Sequence, residues 1–173
     1  MVKVSICVPT YNNALEVERL LQSVHRQNYT DYEVNISDDS TNEETAELIE
    51  WIRTEWSWQD KLHYIHNEKP LGHIYNWNAA IKMAAGEYIK IMFSDDWFTD
   101  SDSLGTFVSM LDEHPKANLA FSGSMQVLLD GQDIEQVKHL NKQVTEHGNA
   151  FARYAEDAFI ERLHRNYKLF FLG

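Results

Sequence analysis

The sequence predicts an α/β fold with a mainly parallel central sheet flanked by helices on both faces. Three observations carry that prediction. Short apolar, β-branched runs alternate with helical segments from residue 3 to residue 113, the pattern of a doubly wound sheet. Proline, glycine, asparagine or aspartate punctuates the junctions. Three of the predicted strands also end on chemically loaded residues, Thr10-Tyr11-Asn12, Asp38-Asp39 and Asp95-Asp96.

Lys3 to Pro9 is the first strand, stopped by proline. Asn12 or Asn13 caps a helix in which Leu15, Val17, Leu20, Leu21 and Val24 follow helical spacing. Tyr32 to Ser37 is the second strand. Thr41 or Asn42 then starts a helix with Glu43 and Glu44 in its first turn, where the helix dipole favours acids, and with Ala46, Ile49 and Ile52 on its apolar side. Leu62 to Asn67 is the third strand and Pro70-Leu71-Gly72 a turn. Ile74 to Ala84 is the third helix, with Gly86 as its C-cap. Glu87 to Phe93 is the fourth strand, and a fourth helix covers Ser103 to Glu113. Asn118 to Leu129 reads as strand, with Asp130-Gly131 as a hairpin signal. Gln132 to Gly148 is polar and poorly patterned, and Phe151 to Leu163 reads as a helix.

The bulk numbers set bounds. A chain of 173 residues is one domain's worth, long enough to bury roughly 70% of its unfolded surface. The formal net charge of −12 argues against nucleic acid as a partner and requires a local cation wherever phosphate enters. The single cysteine, Cys7, lies in an apolar run and allows no disulfide within the chain, which points to a cytoplasmic location. No segment approaches the ~20 apolar residues of a membrane span, and Met1-Val2-Lys3 runs straight into a strand rather than a signal peptide. The eight histidines form no metal set; His63 and His66, three apart on a strand, point to opposite faces.

In open α/β sheets ligands bind beyond the carboxyl ends of the strands, so the three loaded ends are expected to line one cleft. Asp95 and Asp96 stand side by side and are followed by Trp97 and Phe98. Two like charges about 4 Å apart repel by roughly 4 kcal/mol at an effective dielectric near 20, a cost that signals a missing cation, a raised pKa, or solvent exposure that makes it small. Neighbours on an extended chain point to opposite sides, so the two carboxylates are expected to divide the work. One would ligate a divalent metal, Mn²⁺ or Mg²⁺, and the other would accept hydrogen bonds from sugar-like hydroxyls. The metal would bring a diphosphate into an acidic protein. A carboxylate of Asp38-Asp39 is placed to accept the imide N–H of a uracil-like base, and Tyr11 to offer a face to the ring.

The stretches VSICVPTYNN, VNISDDSTNEET and LGHIYNWNAAIKMAAGEYIKIMFSDD, in that order, resemble the successive motifs of family 2 glycosyltransferases of the GT-A fold. The likeness runs from residue 3 to about residue 115. It implies a GT-A-type nucleotide-binding fold and transfer of a sugar from a UDP- or dTDP-sugar donor to a saccharide or lipid-linked acceptor, with inversion. By the same resemblance Pro9, Thr10, Tyr11 and Asn12 belong to the donor site, Asp39 holds the base imide, Asp95 faces the ribose or donor sugar, and Asp96 ligates the metal. Gly72, His73 and Asn78 fall in the segment lining that site. The family commonly has arginine just before that asparagine; here Trp77 stands there, and His73 or Lys69 is the candidate replacement for its diphosphate contact.

The resemblance also implies a general base in the acceptor-binding half. Glu156-Asp157 with Arg162 matches that motif imperfectly, which makes Asp157 the candidate base and a solvated helix face the competing reading. Residues 1–115 are accordingly read as the donor-binding region and 116–173 as the start of an acceptor-side region, within one domain. The ending NYKLFFLG is apolar and stops where a further strand is expected, so the acceptor half reads as incomplete. Peripheral membrane association of a full-length protein, a homodimer and a role in polysaccharide biosynthesis accompany the family reading.

Other readings fit less well. A receiver domain needs its acids in a different order, an Asp-x-Asp phosphatase needs an acid at Trp97, and a sugar nucleotidyltransferase needs a glycine-rich loop after the first strand. The main alternative is a nucleotide-sugar-binding domain without its own catalytic base.

Overall fold

The structure is a computed structural model and describes residues 2–122 and 168–172. These belong to one compact unit. The elements run β1 (Val4–Thr10), α1 (Ala14–His25), β2 (Tyr32–Asp38), α2 (Glu44–Glu55), β3 (Leu62–His66), α3 (His73–Lys82), β4 (Tyr88–Ile91), α4 (Ser103–Glu113), β5 (Leu119–Ser122) and β6 (Lys168–Leu172). The strands form one sheet in the order β3-β2-β1-β4-β6-β5, with every pairing parallel. β1 is in register with β2 from Val4 opposite Tyr32 to Thr10 opposite Asp38, so two of the loaded strand ends finish level.

Alternation along the strands gives the sheet two unlike faces. On one face Val4, Ile6 and Val8 of β1 join Val34 and Ile36 of β2 and Leu62 of β3. They pack with Val17, Leu20 and Leu21 of α1, Ile49 and Ile52 of α2, and Leu104, Phe107 and Leu111 of α4. Each such side chain contributes about 1.5–3 kcal/mol on burial. The crossover through α3 runs in the opposite direction along the sheet, from β3 to β4, and α3 packs on β1 and β2 without entering that cluster.

The second face carries Cys7, Ile89 and Ile91 but is polar around Glu33. Glu33 accepts hydrogen bonds from Ser5 Oγ at 2.6 Å, the Ala85 N–H at 2.7 Å and Asn35 Nδ2 at 3.1 Å, with His63 Nε2 3.5 Å away. Burial acts to raise the Glu33 pKa, but these donors and His63 outweigh it and hold the carboxyl below its ordinary value.

Three boundaries differ from expectation for identifiable reasons. α2 starts at Glu44, because the Thr41 N–H is taken by Asn12 Oδ1 and the Asn42 side chain accepts the Glu44 N–H. α3 ends at Lys82, with Met83 rather than Gly86 at its C-cap. Gly86 serves close approach instead: a Cβ there would lie 2.7 Å from the Ser5 backbone nitrogen. β4 stops at Ile91, before the chain turns through Phe93–Asp96. Leu15, expected on the apolar side of α1, is exposed.

Strand Lys168–Leu172 is last in sequence yet lies between β4 and β5. The predicted Asp130-Gly131 hairpin, the polar stretch at Gln132–Gly148 and the Phe151–Leu163 helix lie outside the described residues, as does the C-terminal part of the Asn118–Leu129 strand.

Candidate functional site

Thr10, the last residue of β1, is the hub at the carboxyl edge of the sheet. Its carbonyl oxygen accepts the Asp39 N–H at 3.0 Å and Asn76 Nδ2 at 3.0 Å. Its hydroxyl donates to Asn13 Oδ1, and Asn13 Nδ2 donates to Ser94 Oγ beside the acid pair. Asn13 therefore occupies the N-cap position of α1 while its side chain ties two strand ends together, and it makes no cap hydrogen bond. Through these contacts Thr10 connects the ends of β2 and β4 with α3.

The Asp38-Asp39 pair splits into two roles. Asp38 is fully buried and accepts from the Ser40 N–H at 2.8 Å, the Ser40 hydroxyl and the Tyr64 hydroxyl at 2.8 Å. It is a structural acceptor that shapes the turn. Asp39 uses one carboxylate oxygen for Asn67 Nδ2 at 2.8 Å and the other for the Gly72 N–H at 2.9 Å. A carboxylate has about four acceptor positions, so Asp39 retains capacity for a further donor while its orientation is fixed from both sides. Gly72 stands at φ +82°, in the left-handed region that favours glycine, immediately before α3.

Asp95 and Asp96 are on a turn rather than an extended strand. The Asp96 N–H donates to the Phe93 carbonyl at 2.9 Å, and Asp96 Oδ2 accepts the Phe93 N–H at 3.3 Å. The division between the two acids thus arises from the turn, not from strand alternation. Asp95 is exposed and Asp96 half-buried. Burial, and next the charge of Asp95, raises the Asp96 pKa above its ordinary value; the Phe93 N–H and Lys90 oppose this. Among the described residues neither acid forms an ion pair with a lysine or arginine. Two adjacent acids without a paired cation fit a divalent ion. No group of three or more His, Cys, Asp or Glu side chains among the described residues could cage one. Such an ion would take most of its ligands from phosphate and water, as Mg²⁺ and Mn²⁺ commonly do.

The remaining predicted residues fall around this edge. Pro9 is buried in β1, and Tyr11 stands 54% exposed beyond it, its ring accessible. Asn12, at φ 50°, receives Thr41 N–H on its side chain and donates its own N–H to Ser40 Oγ, clamping the first loop to the second. His73 and Lys69 are exposed on either side of Gly72. Asn78 donates its side-chain amide to the Ile74 carbonyl of its own helix at 2.9 Å. Trp77 packs its ring on Phe93, centroids 4.8 Å apart. Asp157 lies outside the described residues.

Asn67 and Ser94 were not expected at the site, and Asn76 lies within the Gly72–Asn78 segment expected to line it without having been singled out. Asn67 had a signal: it directly follows β3 and so lies at a strand end like the other loaded positions. Asn76 is one helical turn before Ala80, and these two are the buried residues of α3.

A family model described as glycosyl transferase family 2 matches residues 5–157. The chain belongs to this family. Within family 2 it is 25% identical over 149 residues to the GalNAc(5)-diNAcBac-PP-undecaprenol beta-1,3-glucosyltransferase of Campylobacter jejuni, an alignment covering 83% of this chain and 47% of that one. Its fold matches S. aureus TarS in complex with UDP-GlcNAc at a TM-score of 0.61, with 28% identity over 76% of this chain and 36% of that one. It also matches the mannosyltransferase PcManGT of Pyrobaculum calidifontis in complex with GDP-Man and Mn²⁺ at a TM-score of 0.62, with 25% identity over 70% of this chain and 36% of that one. The fold is therefore the GT-A type expected from the motifs. This family 2 chain spans about half the length of the first of these relatives and about a third of the other two. No helix among its described residues is long and apolar enough to cross a membrane.

Proposed function

We propose that this chain is the donor-binding part of an inverting, metal-dependent glycosyltransferase. It would take a UDP- or dTDP-sugar and serve a saccharide or lipid-linked acceptor in polysaccharide or glycoconjugate biosynthesis. The observation that carries the reading is the convergence on Thr10: an oriented acceptor, Asp39, and an acid turn, Asp95-Asp96, without an ion pair among the described residues, are held by one strand end.

The residues divide the donor between them. Asp39, braced by Asn67 and Gly72, accepts the imide N–H of the pyrimidine. Uracil and thymine present the same imide, so both nucleotides fit. Tyr11 offers its exposed face to the ring. Asp95, on the outer side of the turn, accepts hydrogen bonds from ribose or sugar hydroxyls. Asp96 holds Mn²⁺ or Mg²⁺, which when bound neutralises the charge growing on the diphosphate leaving group. Asp157 remains the candidate base for the acceptor hydroxyl. A chain of this charge, with Trp77 where arginine is common, has few cations to offer a diphosphate, which makes the dependence on metal strong.

Calorimetry with UDP, with and without Mn²⁺, tests the reading. Binding that requires the ion and disappears on adding EDTA supports it. Binding indifferent to the ion, or absent in both conditions, rejects it. The complexes of TarS with UDP-GlcNAc and of PcManGT with GDP-Man and Mn²⁺ support the class of ligand.

A further inference from the structure

Trp77 and Phe93 come from different parts of the chain and meet with ring centroids 4.8 Å apart and planes tilted by 48°. Both are partly exposed. Phe93 opens the turn that carries the acids, and both its backbone N–H and carbonyl bond to Asp96. The aromatic pair is therefore fixed to the Asp96 end of the site. The Asp39 end is marked by Gly72, five residues earlier and ~7 Å further along the helix axis. Under the donor-site reading above, a nucleoside-diphosphate sugar would run from base to sugar in that direction.

We propose that Trp77 and Phe93 form an apolar wall for the sugar ring of the donor, selecting a neutral hexopyranose over an acidic one. The proposal rests on the donor-site reading above and extends it to the sugar. The physical basis is the aromatic face, whose negative quadrupole attracts the positively polarised C–H groups of a pyranose. Asp95, at the same turn, supplies acceptors for hydroxyls, so apolar and polar contacts are on hand together, the usual composition of a small-molecule site. Selection against a uronic acid follows from charge. Its carboxylate would meet the exposed acid Asp95, and at position 77 an indole that offers it no cation.

The test uses calorimetry on the whole chain with Mn²⁺ present and four probes: UDP, UDP-glucose, UDP-N-acetylglucosamine and UDP-glucuronic acid. The unaltered protein binds one of the neutral sugar nucleotides at least ten-fold more tightly than UDP-glucuronic acid. Trp77→Ala weakens that neutral sugar nucleotide about ten-fold and changes UDP less than two-fold. Trp77→Phe retains most of the preference, and Phe93→Leu repeats the loss if Trp77→Ala does not fold. Equal weakening of UDP and UDP-sugar, or unchanged sugar preference, overturns the wall. No binding of UDP by the unaltered protein overturns the donor-site reading instead, which separates the two failures.

Discussion

Asn76 Nδ2 donates to the Thr10 carbonyl oxygen at 3.0 Å, joining residues 66 positions apart. The same carbonyl holds the Asp39 N–H, so α3 and the second strand end are aligned on one acceptor. Asn76 is 4% exposed. Asn76→Ala removes its amide from a buried network, leaves Thr10 with one donor, and deprives Asn67 Nδ2 of a weak third partner at 3.4 Å. Losing a buried partner costs about 1–3 kcal/mol. Urea unfolding should show that loss as a lower midpoint with an unchanged slope, and UDP affinity should fall with it. An unchanged midpoint would remove Asn76 from the framework of the site.

Asp39→Asn tests the oriented acceptor. Asp39 receives two donors, Asn67 Nδ2 and the Gly72 N–H, one on each oxygen. An asparagine has one oxygen and one NH₂, so one of the two donors must face another donor whichever way the amide turns. The expected outcome is a loss of about 1–3 kcal/mol in stability and a larger loss in binding of UDP than of inorganic pyrophosphate. Equal losses for both ligands would mean that Asp39 does not read the base.

Asp95 and Asp96 are adjacent but unequal, one exposed and one half-buried on the turn closed by Phe93. Asp96→Ala should abolish the Mn²⁺-dependent part of UDP binding while leaving the melting temperature within a few degrees of the original. Removing Asp96 relieves a like-charge contact, which offsets the lost bond to the Phe93 N–H. Asp95→Ala should keep the metal dependence and weaken only sugar-nucleotide binding. Calorimetry titrating Mn²⁺ against each variant with UDP present distinguishes the two; identical titrations would show that the acids share one role.

The physics explains which of these features could be read from the chain. The helix α4, expected over about Ser103 to Glu113, was legible because Leu104, Phe107, Val108 and Leu111 repeat at helical spacing. The acids were legible because charge at the end of an apolar run is conspicuous. The network behind them was not. Asn67, Asn76 and Ser94 are common polar residues whose importance comes from partners 9 to 81 positions away. Spacing within one segment carries no signal of such pairs. The same holds for β6, whose place inside the sheet is set by pairing with β4 and β5 rather than by its own composition. The turn at Phe93–Asp96 was missed because the apolar run continues through Phe93 while the ladder ends two residues earlier.

Lys90 yields a prediction whose sign depends on pH. It lies on β4 opposite Ile6, and its side chain is fully buried on the apolar face of the sheet, 5.6 Å from the centroid of the Phe107 ring. Its ammonium donates to the Ile91 carbonyl at 3.2 Å and makes no ion pair among the described residues. Burial pushes its pKa down to about 7, and the charge of Asp96 restores only part of the shift. In the unfolded chain an ordinary lysine titrates near 10.4. Between about pH 7 and pH 10 the unfolded state therefore binds more protons than the folded state, and stability rises with pH across that window. Below about pH 7 both states carry the proton and the burial penalty is felt in full. Lys90→Met keeps the volume and removes the charge, so it should stabilise the protein by on the order of a few kcal/mol at pH 7 or below. The advantage over the unaltered chain should shrink steadily toward pH 10. Thermal melts of the two proteins at pH 6, 7, 8.5 and 10 read the difference directly. Titrating groups other than Asp96, whose carboxyl Lys90 helps to hold down, are common to both chains and cancel in that difference. A gap that stays constant across the series would mean that Lys90 keeps its ordinary protonation in the fold, and a gap that widens with pH would reverse the sign of the argument.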